Sequence, residues 1–461
     1  MERDGLRRFM SESWREARLI PTSGIKGATD QEVRATSTLL SVISVIPSFA
    51  HSLLKPLGAP LGKTRANVDC FIEVAFEDKK AKSSSRPDGL IRVTRGSEVW
   101  TALVEVKTQS NPLSKEQVET YMDVAREQGF NAVITISNEI PPIEGAPPMS
   151  LDRRKLRSVP VHHFSWVRII SIAIMEREVH GIEDPEQSWI LGELIRYLEH
   201  DNSGTLDFTD MGPSWPPLME KIKTNLARRD DSDLSEVAVR FDGLIRYMCL
   251  KFSQRLGTDV VPVLSRNYRD KPETRVADLT AEVEAHGTLS SRIRIPGTVA
   301  DIEILCDLRA RQIVLSSSVP ASGHARNASR MNWLIRPLSD MEDVVIEAQG
   351  NRRKHAATLR DFREEGTDTL PAEFPSIGSF RISKVRHLGL QKTTSGKASF
   401  INSVLEGVDD FYATILQQLK LWTPPAPKFR PEPAALGEDE TYSSAELLSG
   451  KELATLEPIE S

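Results

Sequence analysis

The sequence predicts an α/β domain, a mixed sheet flanked by helices, followed by a helical segment and a separate α+β domain. Three observations carry that expectation. Apolar residues fall at helical spacing after Thr29 and again after Ser114; three stretches of strand character lie between these two helices; two further strands and a helix follow the second. With 461 residues, 39% hydrophobic and 27% charged, the chain is globular in composition and long enough for roughly two to four domains.

Residues 1–28 read as an N-terminal extension, with charge spread along MERDGLRRFMSESWREARLIP and no apolar core of signal-peptide length. From Thr29 a mostly buried helix carries Leu39, Leu40, Val42, Ile43, Val45 and Ile46, then Phe49, Leu53 and Leu54; Pro47 should kink or divide it, and Gly58 and Pro60 end it. Strands are expected at 68–76, 89–95 and 99–107, with Gly96-Ser97-Glu98 as the hairpin connection between the last two. Ser114 opens a helix whose Val118, Tyr121, Met122 and Ala125 share a face and whose C-terminal stop is Gly129. A strand at 131–137, a Pro-rich loop, a short strand SVPVHHF and a helix from Ser165 complete a domain over 29–180.

Residues 185–260 are expected to be helical, with segments near 186–200, 215–228 and 233–256. Residues 261–423 form an α+β domain of unassigned role, with strand signals over 289–350 and an amphipathic helix at 398–421. The apolar stripe of that helix, from Phe400 to Leu419, suits burial in its own domain or, alternatively, a homodimer. Residues 424–461 start with five prolines, turn acidic and polar, and are expected to be a disordered acidic tail.

Lys and Arg number 59 against 65 Asp and Glu, and most of the net charge of −6 lies in that tail. A protein that grips nucleic acid through an overall basic field is therefore excluded, whereas a local basic channel is not. Cys70, Cys249 and Cys306 are too far apart for any CxxC spacing and suit a reducing cytoplasm without disulfides. No run of about 18 apolar residues marks a membrane span. The expected setting is cytoplasmic, with no membrane partner.

The segment that carries chemistry is Pro87-Asp88-Gly89, followed seventeen residues after Asp88 by Glu105-Val106-Lys107. In a strand, residues i and i+2 project to the same face, so Glu105 and Lys107 stand side by side while Val106 points the other way. The hairpin between them folds Asp88 back beside Glu105. Two carboxylates and the Val106 carbonyl make an oxygen-rich, partly open site of the kind Mg²⁺ takes, with positions left for water and a phosphate oxygen. Lys107 would orient the attacking water or help deprotonate it, and offset charge in the transition state.

This pattern resembles the PD-(D/E)XK nuclease superfamily over about residues 29–180, with RPDG supplying PD and EVK supplying (D/E)XK. The resemblance implies a restriction-endonuclease-like fold and a metal-dependent nuclease, a hydrolase of phosphodiester bonds with Mg²⁺ as cofactor, or Mn²⁺ in its place. Its substrate would be nucleic acid, foremost DNA cut by an endonuclease in restriction, defence or repair. Gln117 and Tyr121, a QxxxY pair on the helix after the EVK strand, are similar to a subset in which these residues contact the substrate backbone or buttress the metal site. Glu32, in the first helix, stands where many members place a further carboxylate against the metal or a water beside it.

Each of these residues also has a plainer role. Ser114 to Gln117 is an S-x-x-Q capping box and Thr29 to Glu32 a T-x-x-E one, and Tyr121 suits a core position. His162 and His163 adjoin on a strand, face opposite sides and lack partners at metal-ligand spacing. Arg153, Arg154 and Lys155 make either a solvated face or a rim that anchors a duplex by its phosphates. The alternative for the whole protein is a catalytically silent nucleic-acid-binding or regulatory protein on the same fold.

Overall fold

Helices α1 (Ala28–Val45) and α2 (Pro47–Leu54) are a single apolar run divided at Ile46. Pro47 has no N–H to continue α1, takes the first turn of α2, and the axis turns by 109° at this point. The structure, a computed structural model, describes residues 18–62, 66–78, 83–109, 111–141, 145–205, 208–396 and 398–423. The expectations for residues 1–17 and for the tail 424–461 lie outside the described residues.

Strand β1 (Asn67–Ile72) is shorter than expected, because Glu73 takes φ 54 and turns the chain; Phe76 then belongs to a small hairpin of β2 (Phe76–Asp78) and β3 (Ser83–Ser85). Strands β4 (Gly89–Arg95) and β5 (Glu98–Val106) are joined by Gly96-Ser97, with Arg95 opposite Glu98 and Gly96 at φ 60 as so tight a hairpin requires. Helix α3 (Lys115–Gln128) starts where the Ser114 side chain accepts from the Gln117 N–H and ends at Gly129, φ 70. After it come β6 (Ala132–Ser137), the short α4 (Arg153–Ser158), β7 (Val161–Ser165) and α5 (Trp166–Ile174).

The five long strands form a mixed sheet in the order β1-β4-β5-β6-β7, antiparallel as far as β5 and parallel beyond it. The alternation along β5 sorts its side chains between two cores. Leu103 joins Val118, Tyr121 and Met122 of α3, whereas Ala102, Val104 and Val106 pack with α1, α2 and α5. Glu105, in phase with Leu103, therefore falls on the α3 face, at the C-terminal end of the central strand.

Helices α6 (Pro185–Leu198), α7 (Trp215–Lys223) and α8 (Ser232–Leu256) follow, close to where helical spacing placed them. The second sheet is antiparallel throughout, in the order β13-β12-β14-β11-β10-β9-β8. Its strands are β8 (Val261–Pro262), β9 (Thr288–Arg294), β10 (Ile302–Asp307), β11 (Gln312–Pro320), β12 (Val344–Gly350), β13 (Arg353–Thr358) and β14 (Ser379–His387). Between them run α9 (Arg266–Asp270), α10 (Pro272–His286), α11 (Asn327–Ile335) and α12 (Leu359–Glu364). The last helix, α13 (Phe400–Thr414), is shorter than the expected 398–421, and Phe400, Ile401, Val404, Val408 and Phe411 are all fully buried in this core. The stripe is thus occupied within its own chain.

Val167 of α5 packs into the same core as α8 and the second sheet, so a helix that covers the first sheet also reaches the core of the second half; the described residues through Trp422 form one compact unit. Cys70, Cys249 and Cys306 are free thiols. No single helix among the described residues is long and apolar enough to cross a membrane.

Candidate active site

The register of β4 and β5 explains where Asp88 goes. Gly89 opens β4 opposite Val104, so the N–H of Val106, two residues further along β5, has no strand partner on that side. The Asp88 carboxylate supplies one, accepting from Val106 N–H at 2.7 Å. The N–H and C=O of one strand residue leave by the same edge, which puts the Val106 carbonyl on Asp88's side as well. Gly89 lets α1 come this close: a Cβ there would meet Leu40 Cδ1 and lie 3.2 Å from Phe71 O.

Lys107 continues the ladder on the opposite edge, its N–H donating to Ile136 O at 2.8 Å, while its own carbonyl accepts from the buried Trp166 indole at 2.9 Å. With the backbone fixed on both sides, Lys107 Nζ donates to Glu105 Oε1 at 2.7 Å and stands 3.7 Å from Glu32 Oε2. Glu105 is only 1% exposed, and its other oxygen, Oε2, is buried with no hydrogen-bond partner.

Burial is the chief force on all three ionisable groups. It raises the Asp88 carboxyl, against the pull of the Val106 N–H and of Lys107. Burial and then the Asp88 charge push Glu105 up to about 7, with Lys107 opposing. Burial alone would lower the Lys107 ammonium; the hydrogen bond to Glu105 and the charges of Glu105, Asp88 and Glu32 outweigh it and hold the group above its ordinary value.

The other expected residues divide. Gln117 and Tyr121 do meet: Gln117 Nε2 donates to Tyr121 Oη at 2.9 Å, and that hydroxyl donates to Arg86 O at 3.2 Å. Tyr121 is 4% exposed, so it offers no surface to a substrate; the pair instead anchors the backbone two residues before Asp88. Burial, then the charge of Glu105, raises its phenol far above the ordinary value. The capping box is half formed, since Ser114 caps the Gln117 N–H while the Gln117 amide turns inward.

Glu32 caps nothing, because the N-cap of α1 is Gly27. Its carboxylate takes Asn111 Nδ2 at 2.9 Å and sits beside Lys107. Among the described residues no group of three or more His, Cys, Asp or Glu side chains is gathered to hold a metal, so Glu32 is not a third carboxylate beside Asp88 and Glu105 but the second neighbour of the lysine. Mg²⁺ does not need three: it commonly takes one or two carboxylates and fills its shell with water and phosphate. Asp88, Glu105 with its partnerless buried oxygen, and the Val106 carbonyl fit that requirement.

Lys155 is not free for a substrate. Its ammonium is 2.7 Å from Asp123 and 3.8 Å from Glu119 on α3. At 100° per residue these two project from the edge of α3 opposite Gln117 and Tyr121, so the cluster of Arg153, Arg154 and Lys155 lies across the helix from Asp88 and Glu105. Arg153 and Arg154 are exposed there. His163 is buried between Thr135 Oγ1 and Glu139 O, both at 3.0 Å, and burial lowers it to about 4, which keeps it neutral.

Sequence reasoning missed Asn111 and Trp166. Both were visible only as an Asn-Pro after the EVK strand and a Trp at a helix start, neither a signal without the fold. No family model matches the chain, and no curated protein matches it.

Proposed function

We propose that the protein is a metal-dependent phosphodiesterase, a nuclease acting foremost on DNA as an endonuclease, with Asp88, Glu105 and Lys107 as its catalytic set. The observation that carries this reading is the meeting, at one strand end, of a buried carboxylate, a half-buried one and an ammonium whose charges are not fully satisfied among themselves. The core order of a helix, an antiparallel hairpin-bearing sheet, a helix and a parallel strand supports a restriction-endonuclease-like fold for residues 29–180.

Asp88 and Glu105 would hold Mg²⁺ or Mn²⁺ with the Val106 carbonyl, and the ion would supply Lewis acidity to the phosphate and lower the pKa of water. Lys107 would face the phosphate as an electrostatic clamp and a donor that orients water. Glu32 and Asn111 fix its ammonium from the other side. Gln117 and Tyr121 are positioning residues, acting through the Arg86 carbonyl on the Asp88 segment.

The test is nicking of supercoiled plasmid and cleavage of single-stranded DNA and RNA by purified protein. Cleavage that requires Mg²⁺ or Mn²⁺ and vanishes in Lys107→Ala supports the reading. Binding that is equal in chelator, with no cleavage above that variant's background, assigns the protein to the silent, nucleic-acid-binding class instead.

A further inference from the structure

The loop that leaves Lys107 runs straight into a cavity of about 670 Å³, whose near wall includes Gln109 and Asn111 and whose far wall is built by the second half of the chain, from Phe208 to Arg240. Asn111 joins the two places, since it lines the cavity and also holds Glu32 at 2.9 Å. The volume is that of a small-ligand site and much too small for a duplex.

Its chemistry is selective. Ile140, Pro141, Pro148 and Val239 give it apolar surface, and Gln109 gives it an amide, a side chain that reads base edges, while the Asn138 amide donates to the Gln109 and Gly204 carbonyls and that of Asn111 to Glu32. The Arg240 guanidinium lies 5.5 Å over the centre of the Phe208 ring, a flat cationic surface of the kind on which bases stack. Two of the three acidic groups in the wall are already engaged: Asp210 is 3.2 Å from Lys392, and Glu236 accepts from Ser214. A wall with Asp210, Glu236 and Glu139 in it repels a phosphate but accepts a neutral aromatic ring.

We infer that this cavity receives an unpaired nucleobase from the strand to be cut, which makes single-stranded or frayed nucleic acid the substrate class. The inference rests on the proposed nuclease function and adds to it a role for the second half of the chain: α8 and the segment before it close the pocket against the catalytic loop. A phosphodiester next to the captured base then lies near Lys107.

The experiment measures binding of a fluorescein-labelled oligothymidylate, and of a blunt duplex of the same length, to the full chain carrying Lys107→Ala, with Ca²⁺ in place of Mg²⁺. Arg240→Ala removes the stacking surface and Val239→Trp fills the pocket from an exposed helix position. Each is expected to weaken single-strand binding about tenfold and to change duplex binding less than twofold. Equal single-strand affinity in parent and both variants, parallel loss for both probes, or no binding of the single strand by the parent overturns the pocket. The two readings fail separately. Selective single-strand binding without any metal-dependent cleavage by the unsubstituted protein sinks hydrolysis and keeps the pocket, whereas cleavage with unaltered binding sinks the pocket alone.

Discussion

At the residue scale the site is defined by a conflict between burial and charge. Glu105 is pushed to about 7 in the folded chain, chiefly by burial, whereas an unfolded glutamate titrates near its ordinary value of 4.5. Between those two values the folded state binds the extra proton, so stability should fall as pH rises across that window and level off above it. Glu105→Gln removes the titration. It is expected to flatten that slope and to stabilise the protein at pH 8 by about 1–3 kcal/mol, read by urea unfolding at pH 5 and pH 8. Divalent cations should act in the opposite sense on the unsubstituted chain. They compete with the proton on Glu105, so apparent Mg²⁺ affinity, followed as a rise in Tm, should increase with pH up to about 7 and vanish in Glu105→Gln. Lys107→Ala should lower the metal-dependent cleavage rate about 10²–10³-fold, the usual loss when one preorganised donor is removed.

At the element scale the question is what holds Asp88, which lies just outside β4 and whose carbonyl still accepts from the Glu73 N–H at 3.3 Å. The Gln117-Tyr121-Arg86 chain is one restraint and the close packing of α1 on Gly89 is another. Tyr121→Phe keeps the ring in the core but strands the Arg86 carbonyl and the Gln117 amide. It should cost about 1 kcal/mol of stability and raise the Mg²⁺ concentration needed for half-maximal cleavage several-fold; an unchanged Mg²⁺ requirement would show that the pair serves packing alone. This restraint was legible in sequence only as an i, i+4 pair, because the partner is a backbone oxygen and leaves no mark in residue types. Strands and helices were legible where burial imposes a pattern. The Pro47 break, the almost wholly buried β5 and the capped α3 all announced themselves, since each couples sustained burial to a clear turn or stop residue. β13 did not: RKHAAT is an edge strand with little buried on either face, so it lacks the alternation that marks its neighbours. The capping alternative for Glu32 fails for a related reason, since T-x-x-E marks a helix start only when the Thr is the N-cap, and α1 starts earlier, after Gly27.

At the scale of the whole molecule, the two sheets are joined by more than a linker. Helix α5 closes one face of the first sheet through Trp166, Ile169 and Ile170, while its Val167 lies in the core that contains α8 and the second sheet. Gly243 of α8 approaches the backbone of Ile140 so closely that an added Cβ would lie 3.2 Å from its carbonyl oxygen. Parting the halves would expose α5 and α8 together, and with them the loop that carries Lys107, because Trp166 holds the Lys107 carbonyl from the first residue of α5. Unfolding is therefore expected to be a single cooperative transition, with calorimetric and van't Hoff enthalpies in agreement and with Mg²⁺ shifting the whole of it. Two resolved transitions, only one of them moved by Mg²⁺, would mean that the halves melt independently and that the second sheet is an appendage rather than part of the frame that fixes the lysine.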